Sequence, residues 1–162
     1  MANHLRPAGV ELLLLAPARL VFTARLRSPR EAVFHELTED AATTPLWFRE
    51  VRTAAYTGAP PYGVGSGRAV TLRGGVRFVE KVLVRRAPER FVYRVETTTL
   101  PGVRAWMEEW LLAPSPEGGT VLRFTIALEA APALRVALRL SRPGIARAVR
   151  RATARLDARS AR

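Results

Sequence analysis

The sequence predicts one α+β domain in which a curved antiparallel sheet folds around a long C-terminal helix. Three features lead to this class: strand-like segments separated by short turns, two short helical segments near the start, and an amphipathic helical tail. A chain of 162 residues is long enough to hold its own core. We therefore take residues 1–162 as a single domain, with residues 1–18 as an N-terminal extension.

The first strand is predicted at residues 19–27, where apolar and polar side chains alternate. Ser28 and Pro29 follow, and Glu31 comes shortly after them. A serine N-cap, a proline at the first helical position and a glutamate at the third form a capping box, so a helix is expected to begin at Pro29. A second short helix is predicted over residues 41–48.

The middle of the chain indicates six further strands, separated by turn signals rich in glycine and proline. These strands are predicted at residues 51–57, 67–73, 76–85, 90–98, 103–112 and 120–129. Because most neighbours are joined by short turns, we expect an antiparallel meander. The predicted order is therefore a strand, two short helices, six strands and a long helix, with about seven strands in the sheet.

The C-terminal helix is predicted over residues 131–159. Ile145, Val149 and Leu156 lie on one face of its second half, and arginines are distributed over the rest of the surface. Pro143 and Gly144 are expected to break the helix between its two halves. A bent sheet needs this helix to cover its apolar face, and a cavity between them follows naturally from that geometry.

Composition excludes several classes of function. The absence of cysteine rules out disulfides and thiolate chemistry and suits a reducing cytoplasm. The apolar run at residues 12–16 is too short for a signal sequence or a membrane span, so a cytoplasmic protein is expected. Residues 130–162 hold nine Arg and one Asp, which account for most of the net charge of +12. We interpret them as a solvated helix face, with no specific nucleic-acid partner and at most peripheral membrane contact.

Several short motifs occur in an order typical of one superfamily. They are Ser28-Pro29 with Val33-Phe34, Trp47-Phe48, residues 63–68, Glu80, residues 88–95, Glu109-Trp110 and residues 118–120. Over about residues 19–130 the chain resembles the SRPBCC superfamily of helix-grip proteins, which includes START lipid-transfer domains and the birch-pollen allergen family. The polyketide cyclase/dehydrase-like branch is the most similar. The resemblance implies the fold, but its members range from carriers to cyclases.

Two glutamates are candidates for chemistry because they fall on mostly apolar strand faces. Glu80 shares a face with Phe78, Val82 and Val84. Glu108 points inward if Trp106 and Trp110 do. A buried carboxylate needs a partner or a raised pKa, and either would suit proton transfer or binding of a ligand hydroxyl. Tyr93 is the best second group for proton transfer. The alternative for each glutamate is a structural Glu–Arg pair or a solvated rim position.

Apolar residues on the inward faces are the candidates for ligand binding, with simple core packing as their alternative. They are Phe78, Phe91, Tyr93, Trp106, Trp110, Phe124, Ile126, Ile145 and Val149. No metal site is expected, because His4 lies in a frayed terminus and His35 lies on a solvated helix face. No cofactor is implied either, because the glycines at residues 63–67 lack the lysine of a phosphate loop.

The sequence thus favours binding of a hydrophobic small molecule, such as a lipid, polyketide or aromatic metabolite, between sheet and helix. One alternative is a cyclase- or dehydratase-like enzyme using Glu80, Glu108 and Tyr93, although no catalytic motif is assembled in the sequence. A second alternative is a protein-interaction module with a filled core. Exposed strand edges would allow a homodimer.

Overall fold

The computed structural model describes residues 1–162 and contains eight strands and four α-helices. The strands are β1 (Asn3–His4), β2 (Ala18–Leu26), β3 (Val51–Tyr56), β4 (Gly67–Leu72), β5 (Arg77–Arg86), β6 (Arg90–Thr98), β7 (Val103–Pro114) and β8 (Thr120–Ala130). The helices are α1 (Leu12–Leu15), α2 (Arg30–Thr38), α3 (Thr44–Trp47) and α4 (Pro132–Ser160), with a 3₁₀ turn at Ala41–Thr43 before α3. The predicted α+β order is confirmed.

The sheet is an antiparallel meander. Strands β3 to β8 pair in chain order, and β2 closes the path by pairing with β8. Each predicted strand is present, and every strand end lies within two residues of the predicted position. Strand β2 pairs with β8 along its whole length, from Ala18 opposite Leu128 to Leu26 opposite Thr120. Because β2 has no other partner strand, it forms one edge of the sheet. The other edge is β3.

Bulges curve the sheet and change one predicted side-chain direction. The β5–β6 register shifts between Val79 and Glu80 and again between Val82 and Val84. A bulge adds an unpaired residue and increases the local twist. The second shift moves Val84 to the outer face of the sheet, where it packs against a separate apolar cluster. The expectation that Val84 shares a face with Glu80 is therefore wrong, because strict alternation does not survive a bulge.

The start of α2 does not use the predicted capping box. Pro29 occupies the N-cap position and no side chain caps the helix. Ser28 instead bonds to α4: its hydroxyl donates to the Asp157 carbonyl at 3.0 Å, and its N–H donates to the Asp157 carboxylate at 2.9 Å. The Arg27 N–H donates to the same carboxylate at 3.0 Å. These bonds tie the β2–α2 connection to the last turns of α4.

The C-terminal helix is continuous, so the predicted break at Pro143 and Gly144 is absent. α4 extends from Pro132 to Ser160 with Pro143 inside it. Proline removes one backbone hydrogen bond, but the helix is long and this part of it is exposed to solvent. The buried residues are Val149, Ala152, Thr153 and Leu156, so the second half of α4 contributes most to the core.

The N-terminal extension is docked rather than frayed. His4 belongs to β1, which pairs with Thr97 and Thr98 at the end of β6 that β7 leaves free. Helix α1 then lies on the outer face of the sheet, where Leu12 and Leu13 pack against Met107 and neighbouring residues. The sheet is thus covered on both faces, by α4 on the inner face and by the N-terminal extension on the outer face.

Candidate ligand-binding cavity

An apolar cavity lies between the inner face of the sheet, α3 and α4. Its volume is ≈ 320 Å³, and 20 of its 25 lining residues are hydrophobic. This volume falls at the lower end of the range of small-molecule pockets, about 300–1,000 Å³. Leu138, Ile145 and Ala148 contribute the α4 side of the wall. The cavity is therefore of a size that suits one compact ligand.

Aromatic rings form much of the sheet side of the cavity. Trp110 stacks on Phe124 with ring centroids 4.0 Å apart, and Trp47 meets Trp110 edge-on at 5.9 Å. Phe78 and Trp106 form a second pair at 5.0 Å. The strand register accounts for the first contact, because Trp110 is directly opposite Phe124 across β7 and β8. Rings held by neighbouring strands give the cavity a rigid apolar wall.

One ion pair lies inside this apolar wall. Arg68 on β4 is directly opposite Glu80 on β5. Its Nε and Nη2 atoms both donate to Oε2 of Glu80, at 2.8 and 2.5 Å. The guanidinium carbon lies 4.5 Å from the ring centroid of Tyr93 and 5.1 Å from that of Phe91. Both charged side chains are buried, so each depends on the other for charge compensation.

A second polar group is built around Glu108 on β7. Tyr93 on β6 is directly opposite and donates its hydroxyl to Oε2 of Glu108 at 2.5 Å. Trp106 Nε1 donates to Oε1 of the same carboxylate at 3.0 Å. Trp110 Nε1 donates to the Tyr93 hydroxyl oxygen at 3.0 Å. The cavity therefore carries one buried polar cluster, formed by Arg68–Glu80 and Tyr93–Glu108, in a lining whose other polar residues are Thr44 and Glu50.

Burial is the largest single influence on the pKa values of the four residues in this cluster. It raises the pKa of Glu108 to about 7, with a further contribution from the charge of Glu80, while the bonds from Tyr93 and Trp106 oppose the increase. Burial also raises the pKa of Glu80, although Arg68 opposes it. Burial and the neighbouring Glu108 raise the pKa of Tyr93 well above 10.0. Burial alone would lower the pKa of Arg68, but the charges of Glu80, Tyr93 and Tyr56 and the hydrogen bond to Glu80 together outweigh it, and the net direction is upward.

The structure brings most of the predicted site residues together. The residues that line the cavity are Phe78, Glu80, Phe91, Tyr93, Trp106, Glu108, Trp110, Phe124, Ile126 and Ile145. Val149 does not line it but is packed in the core beneath, and its neighbour Ala148 reaches the cavity instead. Glu109 faces the other way and pairs with Arg90 at 2.6 Å. Whether any of these residues contacts a ligand stays a prediction.

Two residues of the site, Arg68 and Trp47, were not among the predicted site residues. Arg68 follows a glycine-rich turn, and its place on the same face as Val70 and Leu72 is the signal that marks it as an inward arginine. Trp47 lines the cavity from a four-residue helix too short for periodicity to orient. Its indole N–H is buried and has no hydrogen-bond partner within the protein. The described chain contains no cluster of three His, Asp or Glu side chains suited to holding a metal ion.

A sheet curled around a long C-terminal helix, with an apolar cavity between them, defines the helix-grip class of α+β proteins. The family model for polyketide cyclase / dehydrase and lipid transport matches residues 18–161. The chain therefore belongs to this family, within the SRPBCC superfamily, as its sequence motifs indicate.

The chain is also similar to an uncharacterised bacterial protein and to several solved structures. An uncharacterised protein of Mycobacterium tuberculosis is 29% identical over 143 residues, covering 88% of this chain and 84% of the relative. A Rhodobacter sphaeroides structure, 23% identical, superposes with a TM-score of 0.65 over 89% of this chain and 92% of its own. A START superfamily protein from Mycobacterium smegmatis, 12% identical, gives a TM-score of 0.64 over 81% of this chain and 93% of its own. At these identities the structural likeness shows the fold alone.

None of the helices has the length and apolar character that crossing a bilayer would require.

Proposed function

We propose that this protein binds a compact hydrophobic small molecule, such as a lipid, polyketide or aromatic metabolite, in the cavity beneath α4. The observation that carries the proposal is a mostly apolar cavity of ≈ 320 Å³ that contains a buried polar cluster. Small-molecule sites have this composition: an apolar lining gives affinity, and a few polar groups fix the orientation of the ligand. The family description, which includes lipid transport, supports the same class of ligand.

The volume of the cavity favours binding over the filled-core alternative. Large side chains do not close the space between sheet and helix, although buried hydrophobic residues surround it. Leaving such a space empty forfeits the dispersion contacts that its lining residues would otherwise make. A bound apolar molecule would restore those contacts.

Native mass spectrometry of the purified protein, beside its denatured spectrum, tests the proposal. We expect a non-covalent adduct of lipid or metabolite size, either co-purified or taken up from a panel of lipids and polyketides. Ala148→Trp should abolish the adduct, because Ala148 lines the cavity. Ala154→Trp is the matched control, because Ala154 is exposed on the same helix. Absence of any adduct would favour an interaction module, and an adduct that survives in Ala148→Trp would place the ligand elsewhere.

A second candidate function is proton-transfer catalysis of the cyclase or dehydratase type. The observation that favours it is a carboxylic acid inside the cavity whose pKa is raised to about 7. A pKa near the working pH suits a general acid or base, and Tyr93 is hydrogen-bonded to it at 2.5 Å. Turnover of a polyketide-type substrate should then fall about 10²-fold or more in Glu108→Gln. Turnover that is unchanged in Glu108→Gln and in Glu80→Gln would exclude this candidate.

A further inference from the structure

The single arginine of the cavity is already occupied. Arg68 is the only cationic residue in the lining, and two of its N–H groups donate hydrogen bonds to Glu80. Its guanidinium plane is also covered, since the rings of Tyr93 and Phe91 lie within 4.5 and 5.1 Å of its central carbon. Two short hydrogen bonds to one carboxylate oxygen hold Glu80 as its counter-ion. An anionic ligand would therefore find no uncompensated positive charge in the cavity.

The remaining charge in the cavity is negative. With Arg68 and Glu80 compensating each other, ionised Glu108 has no cationic partner; its two oxygens accept only neutral donors, from Tyr93 and Trp106. The charge of Glu80 already acts unfavourably on ionised Glu108. A ligand carboxylate in the same apolar space would add another like charge, and repulsion is strong where water is excluded. A hydroxyl can donate to ionised Glu108, and a carbonyl can accept from its protonated form.

We propose that the cavity selects uncharged apolar molecules carrying a hydroxyl or carbonyl group over carboxylates of the same size, and that Glu108 is the residue that discriminates between them. This inference rests on the proposed function and specifies the chemistry of its ligand. The proposed selection separates neutral alcohols, phenols and ketones from fatty-acid-like anions whose hydrocarbon parts are equally apolar.

The selection depends on pH through the groups that face Glu108. These are Arg68 from β4, Glu80 from β5 and Tyr93 from β6, with Glu50 after α3 as the remaining ionisable residue of the lining. The lining residues from β8 and α4 carry no ionisable side chain. Between pH 6 and pH 8 Glu108 changes its charge, whereas a free fatty acid with an ordinary carboxyl pKa stays ionised. A change in selectivity over this interval therefore reports on the protein.

Isothermal titration calorimetry with matched ligand pairs tests the inference. The pairs are 1-octanol with octanoate and 2-naphthalenemethanol with 2-naphthoate. For the wild-type protein at pH 8 we expect the alcohol of each pair to bind at least about tenfold more tightly than the acid, and at pH 6 the ratio should fall several-fold. In Glu108→Gln the ratio should be several-fold lower than in the wild type at pH 8, and it should be the same at both pH values. Glu109→Gln is the control, because this neighbouring buried carboxylate faces away from the cavity, and it should keep the wild-type pattern.

The outcomes separate the inference from the proposed function. Acid and alcohol binding with equal affinity at pH 8, or a ratio unaltered by Glu108→Gln, would overturn the selection while leaving the binding function in place. If folded protein, checked by circular dichroism, binds none of the four molecules, the proposed function fails and the inference fails with it.

Discussion

At the scale of single residues, the chemistry of this protein depends on two cross-strand pairs. Arg68 is directly opposite Glu80, and Tyr93 is directly opposite Glu108, so the register of the sheet brings each polar group to its partner. A buried ion pair contributes little net stability, but removal of one partner leaves an uncompensated charge. The same burial that makes these groups costly also moves their pKa values.

Mutations of Arg68 and Glu80 should have strongly non-additive effects on the free energy of unfolding. Arg68→Met should lower the free energy of unfolding by about 3–5 kcal/mol, because Glu80 loses its partner. The double variant Arg68→Met/Glu80→Leu should recover at least half of that loss, because no buried charge remains. Urea denaturation measures both values. As a control, Arg25→Met should change stability by no more than about 1 kcal/mol, since the Arg25–Glu117 pair is exposed. Additive effects in the double variant would contradict the prediction.

Glu108 predicts a pH-dependent stability. Its pKa is about 7 in the folded protein and near 4.5 in the unfolded chain, so the folded state binds the proton more tightly. This stabilisation is complete below about pH 4.5 and is lost as the pH rises through about 7. Glutamine resembles the protonated acid and does not titrate. Relative to Glu108→Gln, the wild-type free energy of unfolding should therefore fall by about 3 kcal/mol between pH 4.5 and pH 8.

Denaturation of both proteins across this pH range measures the difference, and titrating groups that they share cancel in the comparison. A constant difference between wild type and Glu108→Gln would show that Glu108 has an ordinary pKa.

At the scale of secondary-structure elements, the ends of strands and helices are fixed by tertiary contacts more than by local signals. Ser28 fits a capping-box motif, yet its side chain bonds to the end of α4 because Asp157 lies beside it. The bonds from the Arg27 and Ser28 N–H groups outweigh the effect of burial and lower the pKa of Asp157. The Thr120 hydroxyl also donates to the Ser28 carbonyl at 2.8 Å. The end of β2, the start of β8 and the end of α4 thus form one junction.

Substitution of Gly119, which lies at this junction, should cost more stability than substitution of its neighbour Gly118. Gly119 has a φ of +79°, and a Cβ there would lie 2.2 Å from the Leu26 carbonyl oxygen. Gly118 has a similar φ of +89° but open space around it. Gly118→Ala should cost about 1–2 kcal/mol from backbone strain alone, and Gly119→Ala about 3 kcal/mol or more because the β2 backbone must also move. Urea denaturation compares them, and equal costs would show that the close approach is unimportant.

At the scale of the whole molecule, the domain has three layers rather than two. The N-terminal extension lies on the outer face of the sheet, where Ala8, Leu12 and Leu13 form a cluster with residues of β6, β7 and β8. Val92, Met107 and Ala127 are completely buried in this cluster. The outer face therefore holds a small core of its own, which supports β6 and β7, the strands that carry Tyr93 and Glu108.

Helix α1 has two buried and two exposed leucines, so substitutions within it test this role. Leu12 and Leu13 are 6% and 4% exposed, whereas Leu14 and Leu15 are 75% and 76% exposed. Leu12→Ala and Leu13→Ala should each destabilise the protein by about 2–3 kcal/mol. Leu14→Ala and Leu15→Ala should stay within about 0.5 kcal/mol of the wild type. Thermal or urea unfolding measures the four variants, and similar values for all of them would mean that the extension does not contribute to the fold.

The sequence by itself determined the class of the fold, the seven main strands, the long C-terminal helix and the apolar strand face that carries Glu80. It placed Glu108 inward only on the condition that Trp106 and Trp110 face inward. Alternation, turn residues and helical periodicity are local patterns, and they persist because one face of each element must be buried. The family followed from the order of short motifs.

Tertiary structure alone decided the partners of the buried polar groups, the continuity of α4 past Pro143 and the docking of residues before β2. The direction of Val84 was also decided there, because a bulge depends on the partner strand rather than on the residue. Arg68 meets Glu80 because strand register places them opposite each other, and register is a relation between strands. Pro143 is accommodated because the core contacts on the far side of it hold the helix in place. Local patterns show which face of an element is buried, but only the assembled sheet and helix determine what each buried group meets.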